Sequence, residues 1–295
     1  MNTAGTGTGA PARSWAQRPS LLAVPAVLFV LVVFLGPFLG VLRVAGAGLP
    51  EPGSLSFFDT SVWQWSTLTS VAGGDFFRSV LLVTLGQGLL IATVCMLIAV
   101  PFAAYLHRAR GWWKAALIVA VAMPKLVNLL VLLYGVTLLL GRTGFINGVL
   151  TGTGLLDDPL PLFANTFAVV FTEVLIVAPY PILILTAAFH SADPRHYDAA
   201  RSLGAGPVRA YLETVIRPAY PALISAALIS AVWGVGAFVG PLVLGNPRQY
   251  TVSVEVYDLA LQQLRYVEAA GWAVLAVTVF GIAVALVRAV SRRRA

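Results

Sequence analysis

Two charged residues, Lys125 and Glu173, lie inside long apolar stretches of this 295-residue chain. An ionised side chain at membrane depth is costly, and such side chains commonly face the interior of a helix bundle or a water-filled passage. Asn128 follows Lys125 by three residues, so one continuous helix would place both on the same face. Trp233 opens the segment WGVGAFVG, whose small residues permit close helix contact beside an aromatic ring. Lys125, Asn128, Glu173 and Trp233 are therefore candidates for the lining of a path for a small polar solute.

The chemistry of this path has more than one interpretation. Glu173 could attract a cation, and the Trp233 ring could bind one through its face. Alternatively, Lys125 and Glu173 neutralise each other, or Lys125 extends to the membrane surface, and the glycines only pack helices together. An unpaired Lys125 would repel a polyamine, whereas a zwitterion or an anion would be tolerated better.

The stretch YDAARSLGAGPVRAYLETVIRP, Tyr197 to Pro218, is polar in an otherwise apolar chain. Asp193 is followed by proline, a pattern typical of a helix start. We predict a short helix over 195–203, ended by Gly204 in the left-handed conformation, and a second one over 208–216. Small and charged side chains on the first helix suit close approach to another surface. The stretch therefore predicts a two-helix projection that docks on a partner, although an ordinary solvated loop would carry similar caps.

The elements that position these residues are membrane spans. Hydrophobic residues make up 59% of the chain and charged residues 11%, with a mean hydropathy of +0.87, which is far from the composition of soluble domains. A span needs about 20 helical residues. We predict six spans: Leu21–Leu42, Val80–Leu106, Ala115–Leu140, Thr166–Phe189, Ala222–Leu244 and Ala269–Leu286. The fold class is thus an all-α membrane protein.

Charge predicts the orientation of these spans. Most of the 19 Lys and Arg residues fall on one side if both termini are cytoplasmic, in agreement with the positive-inside rule. We expect the first segment to be retained, because its run of about 22 apolar residues exceeds a signal peptide's hydrophobic region of about 7–15. The organisation that follows is a disordered cytoplasmic tail (1–20), a first helix with an outer loop (21–76), a core (77–290) that includes the loop 190–218, and a basic tail (291–295).

Several kinds of chemistry find no support in the residues. Cys95 is the single cysteine and cannot form an internal disulfide. The three histidines show no metal-ligand spacing, and no GxxxxGK[ST] loop is present to bind a nucleotide phosphate. We therefore predict no enzyme activity, no metal and no cofactor in this chain, and no nucleic-acid partner.

The polar loop and its surroundings resemble a known family. Permease subunits of ATP-binding-cassette (ABC) importers share a loop pattern of Glu-Ala-Ala, three residues, Gly, nine residues and Ile-x-Leu-Pro. The first half of the pattern is matched, with Asp for Glu, by Asp198, Ala199, Ala200 and Gly204. In the second half, Thr214 and Ile216 stand at the Ile and Leu places. An arginine stands at the proline place, and Pro218 comes one residue late.

Three further blocks resemble the spermidine/putrescine branch of this family, in order and at similar separations. They are MPKLVNLLVLLYG (Met123–Gly135), GRTGFINGVL (Gly141–Leu150) and APYPILIL (Ala178–Leu185). The resemblance implies a six-helix type I importer permease in the bacterial cytoplasmic membrane, with Asp198, Ala199, Ala200, Gly204, Ile216 and Pro218 in a coupling helix that contacts the ATPase subunits.

The resemblance also implies partners and a substrate class. The partners would be an ATPase dimer that binds ATP and Mg, a second permease subunit, identical or homologous, and an extracytoplasmic solute-binding protein. A polyamine, or a related cationic or zwitterionic solute, is the first expectation. Aminophosphonate, thiamine, iron or an opine are alternatives within the same class, and a secondary transporter that uses Glu173 as an ion site is a remote one.

Overall fold

The computed structural model describes residues 19–47, 63–64 and 66–292, and within these ranges it is helical apart from turns and one isolated β-bridge. Most of the two tails predicted from the sequence, 1–20 and 291–295, lies outside the described residues. The first helices are α1 (Pro19–Ala45), α2 (Ser66–Gly73), α3 (Asp75–Arg108), α4 (Trp112–Leu126), α5 (Leu129–Leu140), α6 (Phe145–Gly152), α7 (Thr166–Val177) and α8 (Pro179–His190). They are followed by α9 (Pro194–Ser202), α10 (Pro207–Tyr211), α11 (Tyr220–Val235), α12 (Val239–Leu244), α13 (Val252–Tyr257) and α14 (Tyr266–Arg292). Two π-helical turns, Leu212–Ile216 and Asp258–Gln262, follow α10 and α13, and a 3₁₀ turn covers Pro247–Gln249.

Four segments within the described residues are long and apolar enough to cross a bilayer, and the number rises to six if each of two bent helix pairs is one span. One pair consists of α7 and α8, with a bend of 43° between them. The other consists of the helical segment Pro207–Ile216 and α11, with a bend of 76°. The six predicted spans equal the upper end of this range, and two boundaries differ from prediction.

The third predicted span, Ala115–Leu140, is not one helix. It breaks after Leu126, where Val127 is extended, and Asn128 caps α5 by accepting a hydrogen bond of 2.9 Å from the backbone N–H of Leu130. Pro124, two residues before the end of α4, lacks the N–H that a continuing helix uses. The fifth predicted span also ends early, because α11 stops at Val235 and a separate helix, α12, covers the remainder of Ala222–Leu244.

Helix α3 is the centre of the bundle. Its buried side chains are mostly small, which allows α8 and α11 to pack closely on it. The closest approach is between Gly88 of α3 and Gly234 of α11, where a Cβ built on Gly234 would lie 2.9 Å from the Gly88 Cα. Glycine is therefore required at this crossing for contact between the two backbones.

Polar contacts tie the later helices to α3. The backbone N–H of Val252 donates to Thr84 Oγ1 (2.9 Å), and Gln87 Nε2 donates to the backbone carbonyl of Gln249 (3.0 Å). These bonds hold the segment before α13 against the first half of α3. We call the end of the bundle where α9 and α10 lie the loop end, and the end where α3 begins the far end.

A second buried polar site fixes the turn around α6. Asn147 is almost completely buried, and its side-chain amide donates to the carbonyls of Gly141 and Leu160 at 3.0 Å each. Its Oδ1 accepts from the N–H of Leu160 at 2.8 Å. One side chain therefore joins the turn before α6 to the segment that follows it.

Candidate functional site

The polar loop has the two-helix form that the sequence predicts. Asp193 caps α9 by accepting a hydrogen bond of 2.9 Å from the N–H of Arg195, and Pro194 is the first helical residue. Gly204 has φ +89°, the left-handed conformation expected just beyond α9. The N–H of Ala205 donates to the Ala200 carbonyl at 3.0 Å and closes the helix end.

The first helix of the loop is exposed on its outer side. Asp198, Ala199 and Gly204 are exposed, Ala200 is partly buried, and the neighbouring Leu203 is 89% exposed. In the second half, Ile216 is partly buried and Pro218 is exposed. The loop therefore presents small and apolar side chains outward.

The second half of the loop is anchored in the bundle. Tyr211, Val215 and Ala219 are buried in the same core cluster as the last turns of α3 and α8. The segment changes from α to π at Leu212, and the N–H of Arg217 donates to the Leu212 carbonyl at 2.9 Å. The loop therefore shares a close-packed core with the ends of α3, α8 and α11.

Basic and aromatic side chains from four helices meet beneath this loop. The rings of His107 and His190 are 5.2 Å apart, and Lys114 Nζ contacts His190 Nε2. The Arg108 guanidinium lies 4.8 Å from the centre of the Tyr211 ring. The sequence did not indicate this cluster, because its members come from α3, α4, α8 and α10.

The candidate path residues lie on several helices, and Lys125 stands out among them. Its Nζ is 4.0 Å from the centre of the Tyr180 ring and 5.3 Å from that of Trp233. The two rings stack on each other at 5.4 Å with an angle of 21° between their planes. The Lys125 ammonium therefore rests on an aromatic pair that joins α4, α8 and α11, an arrangement that stabilises a cation.

Asn128 does not share a helix face with Lys125, so that prediction is wrong. The chain leaves the helical conformation at Val127, and the Asn128 side chain caps α5 instead. Tyr180 was not among the predicted site residues, although it lies in the APYPILIL block. Its pairing with Trp233, 53 residues later, is a tertiary contact that no local spacing indicates.

Glu173 is buried in α7, and its Oε1 accepts a hydrogen bond of 3.2 Å from the backbone N–H of Gly240. A Cβ on Gly240 would lie 2.5 Å from that oxygen, so any larger residue there would displace the carboxylate. Among the ion pairs of the described residues, none joins Glu173 to Lys125. The charge of Lys125 nevertheless acts on the Glu173 carboxyl, so both interpretations of this pair stay predictions. Two of the glycines after Trp233, Gly234 and Gly240, pack against other elements.

Two cavities accompany these features. One, of about 1050 Å³, is bordered by α3, α11, α13 and α14, and its lining has no charged side chain. The other, of about 540 Å³, lies at the far end and is lined by carboxylates and aromatic rings. Of these two cavities, the second is the one lined by charged side chains.

Solved structures define the class of this fold. The chain is similar to a bacterial ABC transporter involved in the import of the acidic polysaccharide alginate, with a TM-score of 0.71, 18% identity, and coverage of 93% of this chain and 94% of the other. A structure of an alginate transporter in complex with its pentasaccharide-bound periplasmic protein gives a TM-score of 0.75 at 17% identity, covering 93% of each chain. The fold is that of an ABC importer permease.

Sequence comparison gives the family. The model of the binding-protein-dependent transport system inner membrane component matches residues 96–294, and the chain belongs to this family. The spermidine/putrescine transport system permease protein PotB of Haemophilus influenzae is 25% identical over 76% of this chain and 77% of its own length. The molybdenum transport system permease protein ModB of Mycobacterium tuberculosis is 24% identical over 65% and 71%. The relatives are permeases, not enzymes, and with several apolar helices this chain is consistent with a multi-pass membrane protein.

Proposed function

We propose that this chain is the permease subunit of an ATP-driven, binding-protein-dependent importer, and that its path carries a polyamine or a related organic cation. The observation that carries the choice of substrate is the aromatic pair of Tyr180 and Trp233. It already holds an alkylammonium group, that of Lys125, at 4.0 and 5.3 Å from the two ring centres. A polyamine presents the same group on the same kind of flexible methylene chain. The likeness to PotB supports this choice, while the likeness to ModB leaves an anion as the competing substrate.

Lys125 has a definite role in this proposal. A polyamine ammonium that enters the path takes the place of the lysine ammonium on the two rings, and Lys125 swings aside. The lysine thus occupies the aromatic pair between transport events and limits the repulsion that an unpaired charge would exert. Glu173 lies in the same region of the bundle and contributes a negative charge near the path when it is ionised.

The polar loop is the proposed contact with the ATPase subunits, which bind ATP and Mg. Its exposed residues Asp198, Ala199, Ala200 and Gly204 form the contact, while Ile216 and Pro218 end the second helix of the loop. Asp198 leaves the contact acidic, since it stands at the position where the family pattern has Glu. In this proposal the loop end and both termini are cytoplasmic, and the chain has six spans. A second permease subunit lies beside it, and the binding protein docks at the far end.

The test is uptake of radiolabelled spermidine and of molybdate by cells that produce the complete transport system. Trp233→Leu removes one aromatic face, and we expect the apparent affinity for spermidine to fall about 2- to 30-fold. The matched control is Trp112→Leu, which removes an exposed tryptophan that has no contact with Lys125. Equal uptake in both variants would contradict the proposal.

Lys125→Met separates a cation path from an anion path. The variant frees the aromatic pair, so uptake of spermidine should persist with equal or higher apparent affinity. If the solute is an anion, the same change removes its attracting charge and uptake should be lost. Uptake that continues after ATP is depleted, while ion gradients are maintained, would favour a secondary transporter instead.

A further inference from the structure

The cavity at the far end of the bundle is separate from the path residues. Its volume is about 540 Å³, and it lies between α2, the start of α3, the turn Asp258–Gln262 and the start of α14. Phe77 at this cavity and Arg108 at the loop end are 31 residues apart on α3, which corresponds to about 45 Å along a helix. The cavity and the loop are therefore at opposite ends of α3, and in the proposed orientation the cavity is on the side from which an importer receives its solute.

The polar side of this cavity contains a buried carboxylate. Glu255, on α13, is only 9% exposed and lines the cavity. Among the described residues its carboxylate has no hydrogen-bond or ion-pair partner. A buried carboxylate of this kind is stabilised by a cation that enters the cavity. Burial, and then the neighbouring charge of Asp258, raises the pKa of the Glu255 carboxyl.

The other charges of the lining leave the cavity acidic. Arg265 and Glu268 form an ion pair with an N–O distance of 2.5 Å, so they neutralise each other. Asp258 Oδ2 accepts a hydrogen bond of 2.6 Å from Gln263 Nε2, a neutral partner. The charges of Glu255 and Asp258 therefore remain uncompensated within the lining.

Aromatic rings also line the cavity. Trp272 contacts Phe77 edge to face, with ring centres 4.9 Å apart, and Phe76 at 5.6 Å. Carboxylates together with aromatic rings are the groups that recognise an organic ammonium ion. A bare metal ion is disfavoured, because no group of three or more His, Cys, Asp or Glu side chains in the described part of the chain is arranged to hold one.

We propose that this cavity is a second binding site, in which Glu255 and Asp258 bind an alkylammonium group of the solute while its methylene chain lies against Phe77 and Trp272. The inference rests on the proposed transport of an organic cation and adds an entry site to it. The solute would bind here after release from the binding protein and before it reaches Tyr180 and Trp233.

The experiment measures binding of radiolabelled spermidine to the purified, complete transporter in lipid nanodiscs. All variants carry Trp233→Leu, so that the inner aromatic pair contributes little. Glu255→Gln keeps the shape of the side chain and removes its charge, and we expect the dissociation constant to rise about tenfold or more. Asp158→Asn is the matched control, since it removes an exposed carboxylate that does not line the cavity, and it should change binding less than twofold.

The outcomes separate the two proposals. Equal dissociation constants for the Glu255→Gln and Asp158→Asn variants would overturn the cavity site. Loss of binding in Glu255→Gln, together with an absence of spermidine uptake by the complete system, would overturn the proposed substrate while the cation site stands. If Glu255→Gln reduces the yield of folded protein, Asp258→Asn provides the same test on a less buried carboxylate.

Discussion

Gly204 offers a sharp test of the loop, because its substitution acts through the backbone alone. Its φ of +89° is one that side chains with a Cβ rarely adopt, yet a Cβ built there meets no atom within 4 Å. Valine at this position therefore encounters no steric clash with neighbours and is destabilised only by its own backbone conformation. That conformation costs about 1–2 kcal/mol for an L-residue, and a β-branched side chain tolerates it poorly.

The same chain contains a matched control two residues later. Gly206 has φ −62° and ψ 157°, an extended conformation that valine adopts readily and that suits a residue before proline. A Cβ on Gly206 also meets nothing within 4 Å. Gly204→Val and Gly206→Val are thus the same substitution in the same loop, and they differ only in backbone conformation.

We expect Gly204→Val to lower the equilibrium constant between the ordered and the disordered loop about 5- to 30-fold, and Gly206→Val to leave it unchanged. Limited trypsin digestion, followed by mass spectrometry of cleavage after Arg201 and Arg209, reports the fraction of disordered loop without any partner protein. In the complete transporter, Gly204→Val should also uncouple ATP hydrolysis from uptake, with normal membrane insertion. Equal cleavage rates for the two variants would refute the reasoning.

Two further predictions concern packing. Gly88→Ala should destabilise the protein by about 1–3 kcal/mol, because the new Cβ would lie 2.5 Å from Val235 Cγ2. Gly86→Ala, whose Cβ meets nothing within 4 Å, should instead stabilise α3 by up to about 1 kcal/mol. Thermal unfolding in detergent measures both changes, and shifts of the two midpoints in the same direction would be inconsistent with this packing. Asn147→Ala should lower the unfolding free energy by about 1–3 kcal/mol, since the Leu160 N–H loses its acceptor and the carbonyls of Gly141 and Leu160 each lose one of two donors. An unchanged thermal midpoint would show that Asn147 does not hold the turn.

Local chemistry made the loop predictable from sequence. Asp193, Pro194 and Gly204 each act on the backbone of their own neighbours, so the two short helices and their ends follow from residue types. Lys125 and Glu173 could be selected as candidates for a related reason, because a charge within an apolar run is visible in the sequence wherever the chain folds.

Features that depend on tertiary contact were not predictable in this way. The partners of Lys125 and Glu173, namely Tyr180 and Gly240, come from helices distant in sequence, and nothing in one segment encodes the pairing. The break at Asn128 was missed because the apolar composition continues through it, although Pro124 and the capping ability of Asn128 were both visible. Glu255 gave no signal either, since its isolation from partners arises only when α13 packs against α3 and α14.

Helix α3 joins the loop end and the far-end cavity, the two proposed binding regions, in one continuous element. Phe77 borders the far-end cavity, and Arg108 lies on the Tyr211 ring that anchors the loop. Pro101 is the one proline within it, and it lies much closer to the loop end than to the cavity. Because proline removes a backbone hydrogen bond, α3 bends most easily there. In mechanical terms it is an unequal lever: a rotation of a few degrees about Pro101 moves the cavity end several times farther than the loop end. A solute that binds one tilt of α3 more tightly would also change the affinity of the loop for its partner. By thermodynamic reciprocity, binding of the partner would change the affinity for the solute by the same factor.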